Sequence, residues 1–111
     1  MVKNLILYGQ SGFESGPTLN LAEFVIGLEE CAVILMEDGV NGLMKPTGAE
    51  MTKENAPYHS LIQQNIPIFY LLEDVEARGG ISENVIASIQ SITYSELIDK
   101  IDAAERVISW L

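Results

Sequence analysis

Runs of apolar residues that stop at glycines or carboxylates recur along the chain and predict buried β-strands. The predicted strands cover residues 4–9, 31–36, 66–72 and 106–111, and a further short strand lies within residues 81–94. Each run is apolar throughout instead of alternating with polar residues. That pattern is typical of strands whose two faces are both covered by helices.

Helical patterns separate these strands. One helix is predicted to begin near Pro17 and to continue to about Glu30, with apolar positions spaced for burial against a sheet. A second is predicted near residues 56–64, and a single turn at 74–78 is closed by Gly79 and Gly80.

The clearest helix start lies near the end of the chain. Thr93 is followed three residues later by Glu96, the spacing of a capping box. The helix that begins there carries apolar residues at Leu97, Ile98 and Ile101.

Strands and helices alternate, which predicts an α/β fold. We expect residues 1–111 to form a single domain, a three-layer sandwich with a mostly parallel five-stranded sheet and helices on both faces. At 48% hydrophobic residues the chain can build one modest core, which burial in an oligomer would stabilise further.

Composition excludes several classes of protein. The formal net charge is −10, and the six Lys and Arg residues are scattered, which disfavours direct contact with nucleic acid. The sequence has no apolar run of about 18 residues and no pattern of a signal peptide, so no membrane span is expected. A single cysteine excludes an internal disulfide, and a cytoplasmic location is expected.

Two pairs of carboxylates follow predicted strands, Glu37 with Asp38 and Glu73 with Asp74. Ligands of parallel sheets bind beyond this end of the strands, and clustered carboxylates can bind magnesium. The structural alternative is that Asp38 and Gly39 form a turn in which the glycine takes a positive φ. Asp74 would cap the next helical turn and pair with Arg78 four residues later. We favour the structural interpretation and expect no metal or cofactor.

The loop at residues 10–16 holds glycines and hydroxyls ahead of a predicted helix. Such loops can hold a phosphate, although neither the Walker A nor the dinucleotide-binding spacing is present. A small flavodoxin-like domain that binds an anion or a nucleotide is therefore the alternative hypothesis, and the acidic charge of the chain disfavours it.

Cys31 is the only thiol and His59 the only histidine. A cysteine at the start of an apolar strand usually packs as a small hydrophobic residue. A reactive thiol needs a lowered pKa, whereas Glu29 and Glu30 precede Cys31 and oppose ionisation. His59 has no neighbouring cysteine or histidine with which to form a metal site and is expected at the surface or at a helix end.

Three ordered segments together resemble the DsrH/TusB family of the DsrE/DsrF/DsrH-like superfamily. They are VILMEDGV at 33–40, IPIFYLLEDVEARGG at 66–80 and SITYSELIDKIDAAERVISWL at 91–111. Residues 41–65 depart from the family pattern, being longer and less rich in alanine. Some DsrH proteins carry a cysteine in the first helix, but here the helix at 17–30 has none, so Cys31 lies away from the family position.

The resemblance implies a small α/β subunit of a sulfur-relay, or sulfurtransferase, complex. Its expected partners are DsrE/TusD-like and DsrF/TusC-like subunits, or copies of itself in a homo-oligomer. Such complexes pass persulfide sulfur for 2-thiolation of the tRNA wobble uridine or for sulfur oxidation. The resemblance implies that this chain mainly binds its partners and is at most a persulfide carrier, with Cys31 as the one catalytic candidate.

Overall fold

The five strands form one sheet in the order β4-β3-β2-β1-β5, and every pairing is parallel. The computed structural model describes residues 2–9, 25, 27–43, 61–79 and 89–110, and of residues 41–43 the backbone alone. The strands are β1 Asn4–Tyr8, β2 Cys31–Leu35, β3 Ile68–Leu71, β4 Gln90–Ile92 and β5 Arg106–Trp110. The predicted fold class is confirmed, and the sheet is parallel throughout.

The described residues include two helices and a 3-10 segment. The 3-10 segment spans Glu37–Leu43, helix α1 spans Leu72–Ala77 and helix α2 spans Tyr94–Ala103. No helical stretch in these described ranges has the length and apolar character needed to cross a bilayer.

The predicted helix at 17–30 ends earlier than expected. Val25 is helical, whereas residues 27–30 form a turn and bends, so its predicted extension to Glu30 is wrong. The N–H of Leu28 donates to the Val25 carbonyl at 3.0 Å, and Glu30 takes a left-handed φ of 46°. That conformation turns the chain out of the helix and into β2. Residues 17–24 and 26 lie outside the described residues.

The predicted helix near 56–64 is seen only at its end. Residues 61–63 are helical, and Asn65 takes a φ of 60°. The N–H groups of Asn65 and Ile66 donate to the carbonyls of Ile62 and Leu61, at 3.0 and 3.2 Å. This is the arrangement that ends a helix at a left-handed residue, a position that asparagine tolerates. Residues 56–60 fall outside the described ranges.

Helix α1 starts two residues before its predicted first residue, Asp74, and follows β3 directly. Gly79, with a φ of 77°, comes just after it, as the sequence predicts. The capping box of α2 is also confirmed. Thr93 Oγ1 accepts from the N–H of Glu96 at 3.3 Å, and Glu96 Oε1 accepts from the N–H of Thr93 at 3.0 Å.

Alternate residues of the strands fill two separate cores, one on each face of the sheet. On one face Ile6, Val33 and Tyr70 pack with Val25 and Leu61 from helical stretches. The opposite core is covered by α2 and contains Leu5, Leu7, Ala32, Ile34, Leu71, Ile92 and Leu97. Every residue of β1 and β2 is buried, which explains their continuous apolar runs, whereas β5 is largely exposed, so its predicted burial is wrong.

The register brings the carboxyl ends of neighbouring strands to one edge of the sheet. Tyr8 pairs with Leu35, Leu35 with Tyr70, and Leu71 with Ile92. The segments that follow β2, β3 and β4 therefore emerge side by side. The sequence places both carboxylate pairs in these segments.

Gly39 is needed because the 3-10 segment lies close to strand β1. Its φ is not positive, so the predicted reason for this glycine is wrong. A Cβ at Gly39 would overlap the Tyr8 carbonyl oxygen, which belongs to a fully buried strand. The left-handed residue of the turn is Glu37, with a φ of 51°. The backbone of β1 at Tyr8 therefore limits how closely the 3-10 segment packs against the sheet.

We expect Gly39→Ala to lower the free energy of unfolding by about 1–3 kcal/mol, because the added methyl group forces the backbone apart. Chemical denaturation of the purified protein measures the change. Gly79→Asn is the control, since a Cβ at the exposed Gly79 meets nothing within 4 Å and asparagine tolerates a positive φ. Equal stability of Gly39→Ala and the parent would contradict the close approach.

Candidate functional site

Glu37, Asp38, Glu73 and Asp74 lie together at the carboxyl edge of the sheet, as the sequence predicts, and we call these four residues the carboxylate rim. Glu37 and Asp38 begin the 3-10 segment, while Glu73 and Asp74 lie in the first turn of α1. Their positions follow from the parallel register, because β2 and β3 end next to each other.

Asp74 is the buried centre of the rim, with 9% of its surface exposed. Its Oδ2 accepts a hydrogen bond from the Glu37 N–H at 2.6 Å, and its Oδ1 accepts one from the Tyr94 hydroxyl at 3.0 Å. One carboxylate therefore joins the 3-10 segment, α1 and α2. Hydrogen bonds to an ionised acceptor are stronger than neutral ones, which suits a buried junction.

The predicted role of Asp74 as the cap of its own helix is wrong. The N-cap residue of α1 is Leu71, with no side-chain hydrogen bond, and Asp74 instead accepts from the first residue of the 3-10 segment. The predicted pairing of its carboxylate with Arg78 is also wrong. Arg78 donates to the Asp74 carbonyl oxygen at 3.3 Å and pairs with Asp38 Oδ1 at 3.1 Å.

Exposure limits what the Arg78–Asp38 pair contributes. The side chains are 33% and 63% exposed, so solvent screens the attraction. The pair still connects the 3-10 segment to the end of α1. It also engages the guanidinium of Arg78 with a carboxylate of the rim.

Glu73 holds the start of α2. Its Oε2 accepts from the Tyr94 N–H at 3.2 Å, which places negative charge at the positive end of that helix. Its Oε1 is buried and has no hydrogen-bond partner among the described residues. The interaction of Glu73 with α2 is therefore made through one oxygen.

The rim raises the pKa of the Tyr94 phenol. Its hydrogen bond to Asp74 is the largest cause that raises the pKa of Tyr94, and the charge of Asp74, desolvation and the charges of Glu73 and Glu37 add to it. Since the folded pKa lies above the unfolded one, this stabilisation is present below the ordinary pKa of tyrosine. It is lost as the pH rises through the raised value.

Within the described residues, no three acidic, histidine or cysteine side chains converge in a way that could hold a metal ion. The carboxylates of Asp74, Glu73 and Asp38 are each engaged with backbone N–H groups, a hydroxyl or Arg78. The arrangement gives these residues a structural task, which is to fix the segments that leave the sheet.

Cys31 lies at the opposite, amino-terminal end of the strands. It is the first residue of β2 and is 9% exposed. Its Sγ donates to the Val25 carbonyl at 3.5 Å and approaches the Leu28 carbonyl at 3.9 Å. Burial raises the pKa of the Cys31 thiol and outweighs a backbone hydrogen bond that lowers it. The thiol form therefore dominates at neutral pH.

A cleft of about 590 Å³ opens beside Cys31. Among the described residues, apolar and polar side chains line it, including Leu28, Ile66, Glu30 and Asn65. The cleft lies at the amino ends of the strands and borders Cys31, whose side chain is itself buried. The other two sites considered from the sequence, His59 and the loop at 10–16, lie outside the described residues.

Tyr94, which bonds two residues of the carboxylate rim, is a residue that sequence reasoning missed. Its place directly after Thr93, at the carboxyl end of β4, is the signal that could have identified it. The capping box explained Thr93 and Glu96 from local spacing alone. The partner of the hydroxyl, Asp74, lies 20 positions away in the sequence.

Comparison with known proteins identifies the family. The profile of the DsrH-like protein family matches residues 18–107, most of the chain. The chain belongs to the DsrH-like family. Among curated proteins, no sequence matches it.

Solved structures share the fold of this DsrH-like chain. The crystal structure of the ychN protein from E. coli has a TM-score of 0.78 at 23% identity, covering 99% of this chain and 100% of that one. MTH1491 from Methanobacterium thermoautotrophicum, a protein of unknown function, has a TM-score of 0.69 at 13% identity over 96% and 99% of the two chains. The solution structure of Tm0979 from Thermotoga maritima has a TM-score of 0.54 at 19% identity over 89% and 91%.

Family membership relates the chain to sulfur-relay proteins. The resemblance seen in the three sequence segments is thereby confirmed at the level of the family. The structural neighbours, all below 25% identity, support the same fold.

For this DsrH-like protein we expect Asp74→Ala to lower the free energy of unfolding by about 1–3 kcal/mol, because the Glu37 N–H and the Tyr94 hydroxyl lose their acceptor. Urea denaturation followed by circular dichroism measures the change. Glu76→Ala, on the exposed face of the same helix, is the matched control and is expected to change stability by less than about 0.5 kcal/mol. Equal effects of the two substitutions would argue against the junction.

Proposed function

We propose that this chain is a subunit of a cytoplasmic sulfur-relay complex that binds partner subunits and assists persulfide transfer. Its partners would be DsrE- and DsrF-like proteins, or further copies of itself. The pathways proposed for it are 2-thiolation of the tRNA wobble uridine or sulfur oxidation. Family membership over residues 18–107 supports this role.

The observation that carries the proposal is that the carboxylates of the rim bond other groups of the same chain. Asp74 bonds two neighbouring segments, Glu73 bonds the start of α2, and Asp38 bonds Arg78. Groups held in this way fix a surface and are poorly placed to exchange protons with a substrate. A contribution through protein contacts fits them better than a reaction at the rim.

Charge supports protein partners over nucleic acid. The chain carries a formal net charge of −10, so a phosphate backbone is repelled as a whole. In the proposed complex, contact with tRNA would be made by another component.

We further propose that any direct sulfur transfer by this chain passes through Cys31, its only thiol. The Cys31 thiolate would attack the outer sulfur of a donor persulfide, and the donor would leave as a thiolate. An acceptor thiolate would then attack that outer sulfur and release the Cys31 thiolate. Cys31 is buried and its pKa is raised. This step therefore requires the segment around Val25 and Leu28, whose carbonyls contact the thiol, to move away from Cys31.

Assembly tests the proposed role. We expect the chain, co-expressed with DsrE- and DsrF-like proteins, to elute with them in one peak whose mass by light scattering far exceeds its own 12.2 kDa. The chain expressed alone is the control for self-association. A monomer in both preparations would contradict the proposal that it acts by binding partners.

A persulfide donor tests Cys31. We expect folded wild type to keep its mass in intact mass spectrometry, because the thiol is covered and protonated. In denaturing urea the wild type should gain one sulfur atom, and Cys31→Ser should gain none. Rapid gain by the folded wild type would instead make this chain a direct carrier.

A further inference from the structure

Helix α2 exposes two large apolar side chains on one face. Tyr94 is 48% exposed and Ile98 is 59% exposed. Residues four apart on a helix are neighbours, with Cβ atoms about 5–6 Å apart. We call this pair the Tyr94–Ile98 ridge.

The core does not account for the ridge. Leu97 is buried and Ile101 is partly buried against the core on that side of the sheet, so they already anchor the inner face of α2. The Tyr94 hydroxyl is satisfied by Asp74, which leaves its exposed ring as an apolar surface. Tyrosine rings and aliphatic side chains of this kind are common at the centres of protein interfaces.

Carboxylates outnumber cations on α2, and Asp102 lies one turn beyond Ile98 on the same face. Helix α2 carries the carboxylates Glu96, Asp99 and Asp102, all exposed, against the single cation Lys100. Lys100 places its Nζ over the Phe69 ring, 4.0 Å from the ring centre. Phe69 belongs to the partly buried residues of the core under α2, so that cation is directed toward the sheet.

The carboxylate rim continues this acidic border at the start of α2. Glu73 and Asp74 both bond Tyr94, and Glu37 follows through its N–H bond to Asp74. The nearby Arg78 is paired with Asp38. An apolar centre with an acidic border is therefore complementary to a segment that carries apolar and cationic side chains.

We propose that the Tyr94–Ile98 ridge docks an amphipathic segment of a partner protein, whose apolar side chain covers Ile98 and whose Lys or Arg residues face Asp102 and the rim. The proposal rests on the partner-binding role proposed above and names the chemistry of one contact. Nucleic acid is disfavoured at this surface by the same carboxylates.

The ridge is held in place before a partner arrives. The capping box fixes the first turn of α2, Glu73 accepts from the Tyr94 N–H, and Asp74 holds the Tyr94 ring through its hydroxyl. A contact surface that is already ordered loses less conformational entropy on binding. The rim thus contributes to binding by orienting Tyr94.

The test uses purified full-length protein and a synthetic helical peptide of leucine and lysine, titrated by fluorescence anisotropy. We expect Ile98→Gln to weaken binding about tenfold, the loss of one buried aliphatic contact. Val107→Gln is the matched control, because Val107 is an exposed apolar residue, 38% exposed, that belongs to β5 and not to the ridge. Circular dichroism verifies that both variants keep the fold.

Charge is tested with a second matched pair. Asp102→Asn should weaken binding several-fold and reduce its salt dependence, while Glu29→Gln, at the amino edge, should leave both unchanged. A peptide with glutamate in place of lysine should not bind. NMR shifts on adding the leucine–lysine peptide should concentrate in residues 94–102.

Equal affinity of Ile98→Gln and Val107→Gln, or shifts that map elsewhere, would overturn the ridge as a docking site. That result leaves the assembly experiment unaffected, since co-elution with DsrE- and DsrF-like proteins can occur through other surfaces. A monomer in the assembly experiment, together with peptide binding at the ridge, would reject the sulfur-relay complex and keep the docking site.

Discussion

The carboxylate of Asp74 is the interaction on which the arrangement of the carboxyl edge depends. A buried carboxylate is stable only when its oxygens find donors, because its desolvation is otherwise costly. Here one oxygen takes the Glu37 N–H and the other takes the Tyr94 hydroxyl. The three segments that follow β2, β3 and β4 are thus fixed to each other by one side chain.

The parallel sheet makes that junction possible. Its strands end in register, and separate cores bury both faces of β1 and β2. The rim lies at the carboxyl ends of the strands, and Cys31 and its cleft lie at the amino ends. The rim carboxylates find their partners in the segments that follow the strands.

A structural feature is predictable from the sequence when the residues that form it lie close together along the chain. The strands and the capping box depend on neighbours within a few residues, and Thr93 with Glu96 appeared as expected. Asp74 and Glu37 are 37 positions apart, so short-range rules assigned Asp74 to its own helix and to Arg78. Gly39 and Glu30 show the same limit, because a close approach to Tyr8 and a left-handed glutamate leave no local pattern.

The two edges also separate the two kinds of contact that a relay subunit would need. Cys31 begins β2 and the rim follows its end, and five residues of parallel strand span about 16 Å. The Tyr94–Ile98 ridge and the cleft beside Cys31 also belong to opposite faces of the sheet, since α2 covers one core while Val25, Leu28 and Cys31 pack in the other. Sulfur delivery to the thiol would depend on the segment around Val25 and Leu28, whereas partner binding would depend on groups that Asp74 already holds in place.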